Sequence, residues 1–354
     1  MLKREKIVGI FGAMLVALGS LSAEDIKPNG CKGVTLCTDM PLNENCGFYF
    51  NVGLIYEQMR VSNTMTAYEQ VSGSTTDATA WAPTNGYNMY NLAFDMEPGF
   101  KFGVGYENGH DDWQANASFE WLRSTGTLSK EVIAPTVLCV TYDDGTDNYS
   151  AVNSTLLIDY FLLDVYLSRG SFISNKYSLE PLAGFKATWI YYTGNTGLTS
   201  LNTSVNTSLA SNETQLYVSD IDFWGIGPMV GLNSNYHMTA GWSIFALSDF
   251  SILLGESSST YYDGEVTIET TPVLNKVDTT LQVLCPTMRG VIGLQYERYV
   301  MCDSQHVALR AGFDARYYFN QYPVTFMSHQ SNPSIIENGS FGMVGLLLDL
   351  GWDF

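Results

Sequence analysis

The sequence predicts an all-β chain closed into a transmembrane antiparallel up-and-down β-barrel of about ten strands, and three observations carry that prediction. Apolar residues alternate strictly with polar or glycine residues in one segment after another. Most segments hold about ten residues or more, longer than the five or six usual in a soluble sandwich. The links alternate between short turns and long stretches rich in Ser, Thr, Asn and Gly, the pattern of a meander with every long loop at one end. Composition agrees: of 354 residues 45% are apolar, 13% aromatic and only 15% charged, with 22 Tyr and 32 Gly. A net charge of −19 sets the chain against polyanions, so no nucleic acid is expected as a partner.

The chain opens with Lys3, Arg4 and Lys6, continues through an apolar run over residues 7–18, and reaches small residues at Ser20, Ser22 and Ala23. Positive, apolar and small-residue zones in that order predict a cleaved export signal over residues 1–23, the run being too short for a stable anchor. An N-terminal helix of a cytosolic domain is the competing reading. Residues 24–46 follow as a periplasmic segment holding Cys31, Cys37 and Cys46, and residues 47–354 as the barrel.

Alternation starts at Gly47. Phe48, Phe50, Val52, Leu54 and Tyr56 share one face of a strand, and Asn51, Gly53 and Glu57 the other. Phe100, Phe102, Val104 and Tyr106 oppose Lys101, Gly103 and Gly105; past an Asn108-Gly109 turn, Trp113, Ala115, Ala117, Phe119 and Trp121 alternate likewise, a hairpin signature. Seven more alternating segments cover residues 161–167, 179–189, 224–232, 242–250, 292–296, 307–319 and 344–354. Short turns fall near 107–112, 170–176, 233–237 and 300–305; long links fall near 57–92, 123–155, 192–219, 255–287 and 320–341. β-prone stretches at 132–142 and 263–284 leave twelve strands open.

Eleven residues tilted by about 45° rise some 25 Å, the height of the apolar band on an outer-membrane barrel. Aromatic residues gather at both segment ends, Phe48, Tyr106, Trp113, Trp242 and Trp352 toward the short turns and Tyr56, Trp121, Trp189, Tyr191, Tyr317 and Phe319 toward the long loops. Two interfacial girdles look like this, so the apolar faces are expected to meet outer-membrane lipid. A secreted β-sandwich alternates too, but lacks the strand lengths, loop asymmetry and girdles together.

Several stretches also resemble a known family. Leu163-Asp-Val-Tyr-Leu-Ser-Arg169, Asp222-Phe-Trp-Gly-Ile-Gly-Pro228 with Val230-Gly-Leu232, and Arg310-Ala-Gly-Phe-Asp-Ala-Arg-Tyr-Tyr-Phe-Asn320 are similar to the pore-forming major outer membrane proteins of Legionella and of chlamydia-related bacteria. Leu346-Leu-Leu-Asp-Leu-Gly-Trp-Asp-Phe354 resembles the family's last strand, whose terminal aromatic, here Phe354, is presented to the barrel-assembly machinery. The resemblance implies a porin of the cell outer membrane, with cysteines contributing to a disulfide-linked envelope. It brings no catalytic motif.

Porin function asks for a polar lumen. Candidate pore-lining charges are Glu57, Glu97, Lys101, Glu120, Asp164, Glu180, Lys186, Asp249, Arg289, Glu297, Arg310, Asp314 and Arg316. Surplus carboxylates predict weak cation preference, with cross-strand pairing the competing fate. Inward glycines (Gly53, Gly99, Gly103, Gly105, Gly225, Gly227, Gly231, Gly312) are expected to leave a narrow watery path, unless they only relieve curvature in a tightly bent sheet. The alternative function is a non-conducting barrel that displays its loops as an adhesin or antigen.

Six cysteines in an exported chain favour disulfides over metal, and with no CxxC spacing and four His in all, neither a metal nor a cofactor is expected. The topology sorts Cys31, Cys37, Cys46 and Cys302 to the periplasmic end and Cys139 and Cys285 to outer loops. Pairing within each group stays open, as do cross-links to envelope proteins and a homo-oligomer. His110-Asp111-Asp112 falls in a periplasmic turn, where His237 and His306 also lie, and His329 is isolated in an outer loop; no enzyme is expected.

Overall fold

Ten strands close on themselves among the residues that the computed structural model describes, 47–353 apart from 63–66, 72–87, 109–112, 134–135, 141–148, 175, 201–213, 240, 267–272, 301–304 and 328–332. The export signal, Cys31, Cys37, Cys46, Cys302, His110, His329 and Phe354 lie outside the described residues. The strands are β1 (Gly47–Val61), β2 (Met96–Asn108), β3 (Trp113–Glu131), β4 (Tyr149–Arg169), β5 (Tyr177–Ser200), β6 (Thr214–Thr239), β7 (Trp242–Val266), β8 (Val273–Val300), β9 (Gln305–Met327) and β10 (Pro333–Asp353). Each pairs antiparallel with the next. The ring shuts where β10 meets β1, from Tyr49 opposite Asp353 to Val61 opposite Phe341.

Strand length is where expectation fell short. The strands run from 13 residues in β2 to 28 in β8. At about 3.3 Å per residue and a tilt of about 45°, 28 residues rise some 65 Å against an apolar band of about 25 Å. Most of the predicted long links are therefore strand: β7 and β8 stay in register from Trp242 opposite Tyr296 to Glu265 opposite Val273. The Ser and Thr that suggested loops keep period-2 alternation, and Ser257 and Ser259 are both buried on the inner face. Thr136–Val140, within the stretch that left twelve strands open, sits outside the ring and pairs with Ala67–Val71 and, through Leu138, with Tyr149. Its small core of Ala67, Leu138, Tyr149, Val152 and Leu198 lies at the long-loop end.

The faces divide as alternation requires. Val52, Leu54, Phe185 and Leu254 are 57%, 63%, 62% and 63% exposed, an apolar surface that water would not tolerate at this extent. Aromatic contacts ring both ends, Phe48 with Tyr106 (5.1 Å) and Trp242 with Tyr296 (5.0 Å) near the short turns, Phe100 with Trp121 (5.5 Å) and Tyr317 with Phe319 (4.6 Å) toward the loops. Two backbone irregularities mark ends of the regular wall. Gly241 takes φ +86° in the β6–β7 turn, where its carbonyl accepts from the Glu297 N–H at 2.8 Å. Asn320, a residue that tolerates φ 54°, begins a break in the β9–β10 register between Tyr318 and Tyr322 just past the outward Phe319.

If the outward face meets hydrocarbon, Val52→Arg, placed between the two girdles of β1, is expected to lower unfolding stability in lipid vesicles by about 2–4 kcal/mol. Urea titration followed by tryptophan fluorescence checks this, and an unchanged midpoint contradicts it.

Candidate functional site

Inward-facing positions build three layers inside the ring. At mid-depth eight of the ten strands contribute a charged side chain: Glu57, Lys101, Glu120, Asp164, Lys186, Asp249, Arg289, and Asp314 with Arg316. The other two contribute glycine, and a Cβ at Gly345 would meet the Tyr56 carbonyl and stand 2.5 Å from the Glu57 Cα and 2.8 Å from its Cγ, so its absence lets the β1 backbone and the Glu57 side chain lie close. Arg316 is the hub. Its Nη2 donates to Asp314 Oδ2 at 2.7 Å and Glu57 Oε1 at 3.4 Å, and its Nη1 donates to Glu120. Arg289 Nη2 lies 2.7 Å from Asp314 Oδ2 and 3.3 Å from Glu120 Oε1, and Lys101 Nζ lies 3.6 Å from the same Glu120 oxygen.

Strands β3 and β8 are five places apart whichever way the ring is counted, so the Glu120–Arg289 contact crosses the lumen. A second ion pair, Lys186 to Asp249, joins β5 and β7, with Asp164 directly across from Lys186 on β4. Glu120 and Asp314 are 0% exposed and Arg289 5%, so the cluster is closely packed.

Toward the long-loop end the next layer is aromatic. The Tyr160 and Tyr318 hydroxyls hydrogen-bond at 2.6 Å, and their rings pack on Phe341 at 6.0 and 5.8 Å. Tyr192 donates to Gln321 Oε1 at 2.5 Å and meets Phe341 edge-on. Toward the short-turn end lies a cavity of about 350 Å³ lined by polar side chains that include Asn51, Asn116, Glu180, Gln295, Arg310 and Asp349.

Of the thirteen predicted lining residues the structure brings nine into the belt. Glu180, Glu297 and Arg310 line the cavity, with Glu180 accepting from Ser168 at 2.5 Å and Asn233 at 2.9 Å. Glu97 stands half-buried beside Glu57, at the long-loop side of the belt. The inward glycines do not stand in open space. Space at the inward glycines is taken by neighbouring atoms: a Cβ on Gly103 would come 2.6 Å from the Asn51 side chain, one on Gly231 2.6 Å from the Ser248 carbonyl and 2.9 Å from Leu182, one on Gly312 2.9 Å from the Ile292 carbonyl and 3.0 Å from Phe245, and one on Gly227 would meet the backbone at Ile252. The glycines admit large inward neighbours into a narrow ring. Sequence reading missed Tyr160, Tyr192 and Tyr318, although parity was available, since Tyr318 falls between the outward Tyr317 and Phe319.

Cys285 is also corrected. It belongs to β8, opposite Leu253 and 0% exposed, a free thiol inside the barrel rather than in an outer loop. Its inward parity encloses it, and Cys139 lies in the Thr136–Val140 strand.

With this geometry in hand, comparisons with known proteins place the chain. The family model described as Legionella pneumophila major outer membrane protein precursor matches residues 40–354. A search of curated proteins returns no match. Among solved structures the chain is similar to the outer membrane protease OmpT of Escherichia coli, with 11% identity, TM-score 0.43, and 91% of this chain and 99% of that one covered. It is also similar to the Yersinia pestis attachment invasion locus protein Ail (11% identity, TM-score 0.23, covering 87% and 98%) and to the Pseudomonas putida toluene transporter TodX (7%, 0.24, covering 87% and 89%). At these scores and identities no activity, substrate or partner carries over. An outer-membrane family and a closed barrel together imply an outer-membrane location.

Removing the hub leaves carboxylates facing one another in a dry layer. Arg316→Gln is expected to cost about 3–5 kcal/mol of unfolding free energy, as loss of one partner from a buried ion cluster does. Glu120→Gln added to it is expected to restore part of the loss, a non-additivity readable by urea unfolding; strictly additive effects would dissolve the cluster as an energetic unit.

Proposed function

We propose that this chain, which belongs to the Legionella pneumophila major outer membrane protein family, is a porin that passes ions and small hydrophilic solutes by passive diffusion, with the charge belt as its constriction. One observation supports this reading above the others: at mid-depth in the lumen the inward positions are ionic on eight strands, where an inert scaffold would be filled with apolar side chains. Burying charges costs several kcal/mol per ion before pairing offsets it. A lumen that keeps them gains a route in which water and mobile ions replace one side-chain partner at a time. Arg316, Arg289 and Lys186 are long and can swing without moving the wall. The cavity below supplies a solvated approach, and its carboxylates Glu107, Glu180, Glu297, Asp349 and Asp353 outnumber Lys101, Arg289 and Arg310, which favours cations.

A second reading has its own observation. The Tyr160, Tyr192, Tyr318 and Phe341 side chains pack together inside the lumen above the belt, which supports a barrel that displays its long hairpins as an adhesin or antigen. An envelope-anchoring role accompanies either reading. With Cys285 sealed inside, five of six cysteines remain, an odd number that leaves at least one for a bond to another molecule or as a free thiol.

Planar-bilayer recordings on refolded protein test the proposal. The wild type is expected to show small, weakly cation-preferring steps, and Arg316→Ser, which removes a positive charge from the belt, leaves Glu57 without its ion-pair partner and opens the hub, to raise both conductance and cation preference severalfold. Silence from both proteins after demonstrated insertion contradicts conduction and leaves the display reading.

A further inference from the structure

The cavity at the short-turn end contains a charge arrangement that the belt does not use. Arg310 on β9 and Asp349 on β10 stand directly opposite in the register. Opposite charges so placed on one face ordinarily pair, yet these two do not bond each other. Arg310 is drawn the other way: its Nε donates to Gln295 Oε1 at 2.7 Å, and its guanidinium carbon lies 6.0 Å from the Phe245 ring centroid. Asp349 stays on its own strand, 4% exposed, with Oδ1 buried and unpartnered. Lys101 gives it no ion pair, since its ammonium is turned to Glu120. On the far side of Asp349, the buried Asn51 Oδ1 on β1 is also unpartnered.

The cavity lining thus brings together two residues that each carry an unpartnered buried acceptor, Asp349 and Asn51, and a guanidinium whose terminal nitrogens make no hydrogen bond among the described residues. A buried carboxylate oxygen left without a donor is costly, and a ligand that supplies donors here while accepting from Arg310 removes that cost at both ends. We infer that the cavity binds a small zwitterion of the α-amino acid kind, its ammonium donating to Asp349 and Asn51 and its carboxylate accepting from Arg310. A polyol fills the acceptors but brings no charge to the guanidinium. A simple amine leaves Arg310 unanswered, and a simple anion meets Asp349. The volume of about 350 Å³ suits a ligand of this size. Because the cavity opens on the periplasmic side of the belt, the inference does not require the barrel to conduct.

Microcalorimetry on detergent-solubilised protein, with L-serine, ethanolamine and glucose as probes, tests it apart from any current measurement. Serine is expected to bind about tenfold or more tighter than the other two, and Asp349→Asn and Arg310→Gln each to weaken serine by about tenfold or more, as loss of a charge-assisted hydrogen bond does. Heat-modifiable electrophoretic mobility establishes that each variant is folded; where one is not, Asn51→Leu and Arg310→Lys take its place, with the same direction expected. Glucose or ethanolamine binding as tightly as serine, serine binding indifferent to the substitutions, or no heat from any probe overturns the inference. A silent bilayer recording beside intact serine binding would sink the porin reading alone.

Discussion

A bilayer offers no water to an unpaired peptide group, and this constraint organises the molecule. Strands that cross it must give every N–H and C=O a partner on a neighbouring strand, which only a closed ring can do. Here the closure is the long β1–β10 pairing from Tyr49 opposite Asp353 to Val61 opposite Phe341. Once the ring is shut, side chains have two destinations, and period-2 alternation assigns them. Leu346, Leu348 and Leu350 go to lipid, while Gly345, Leu347 and Asp349 go to the lumen.

A ring of ten is narrow, and that narrowness explains the interior. Opposite walls lie within reach of two long side chains, so Glu120 and Arg289 meet across the barrel, and Arg316 gathers carboxylates from three strands. Glycine on the walls is the counterpart of size in the lumen. Phe245 occupies the space beside Gly293 and Gly312, and Glu57 the space beside Gly345. The belt, the aromatic layer and the cavity are thus three solutions to one problem, filling a tight cylinder whose middle is polar.

Much of this was legible in the residues. Alternation located all ten strands, their inward and outward faces and both girdles, because a strand's periodicity is local and needs no knowledge of its neighbours. What escaped is non-local. Ser257 and Ser259 look like loop residues until β8 is known to run alongside them. The inward glycines looked like empty space because the side chains near them, Asn51, Leu182 and Phe245, belong to other strands. Cys285 lies in a stretch without clean alternation, and its pairing with Leu253 and its burial reveal that it faces inward. The thirteen lining charges were recoverable by parity, but which of them bond one another depends on register around the ring.

The assignment of faces is what all of this depends on, and it can be read directly along one strand. Spin labels placed one at a time from Val344 to Leu350 in lipid vesicles report whether each site is reached by membrane-dissolved oxygen. A period of two is expected, with 344, 346, 348 and 350 open to oxygen and 345, 347 and 349 shielded. A flat profile, or one with the opposite phase, would contradict it.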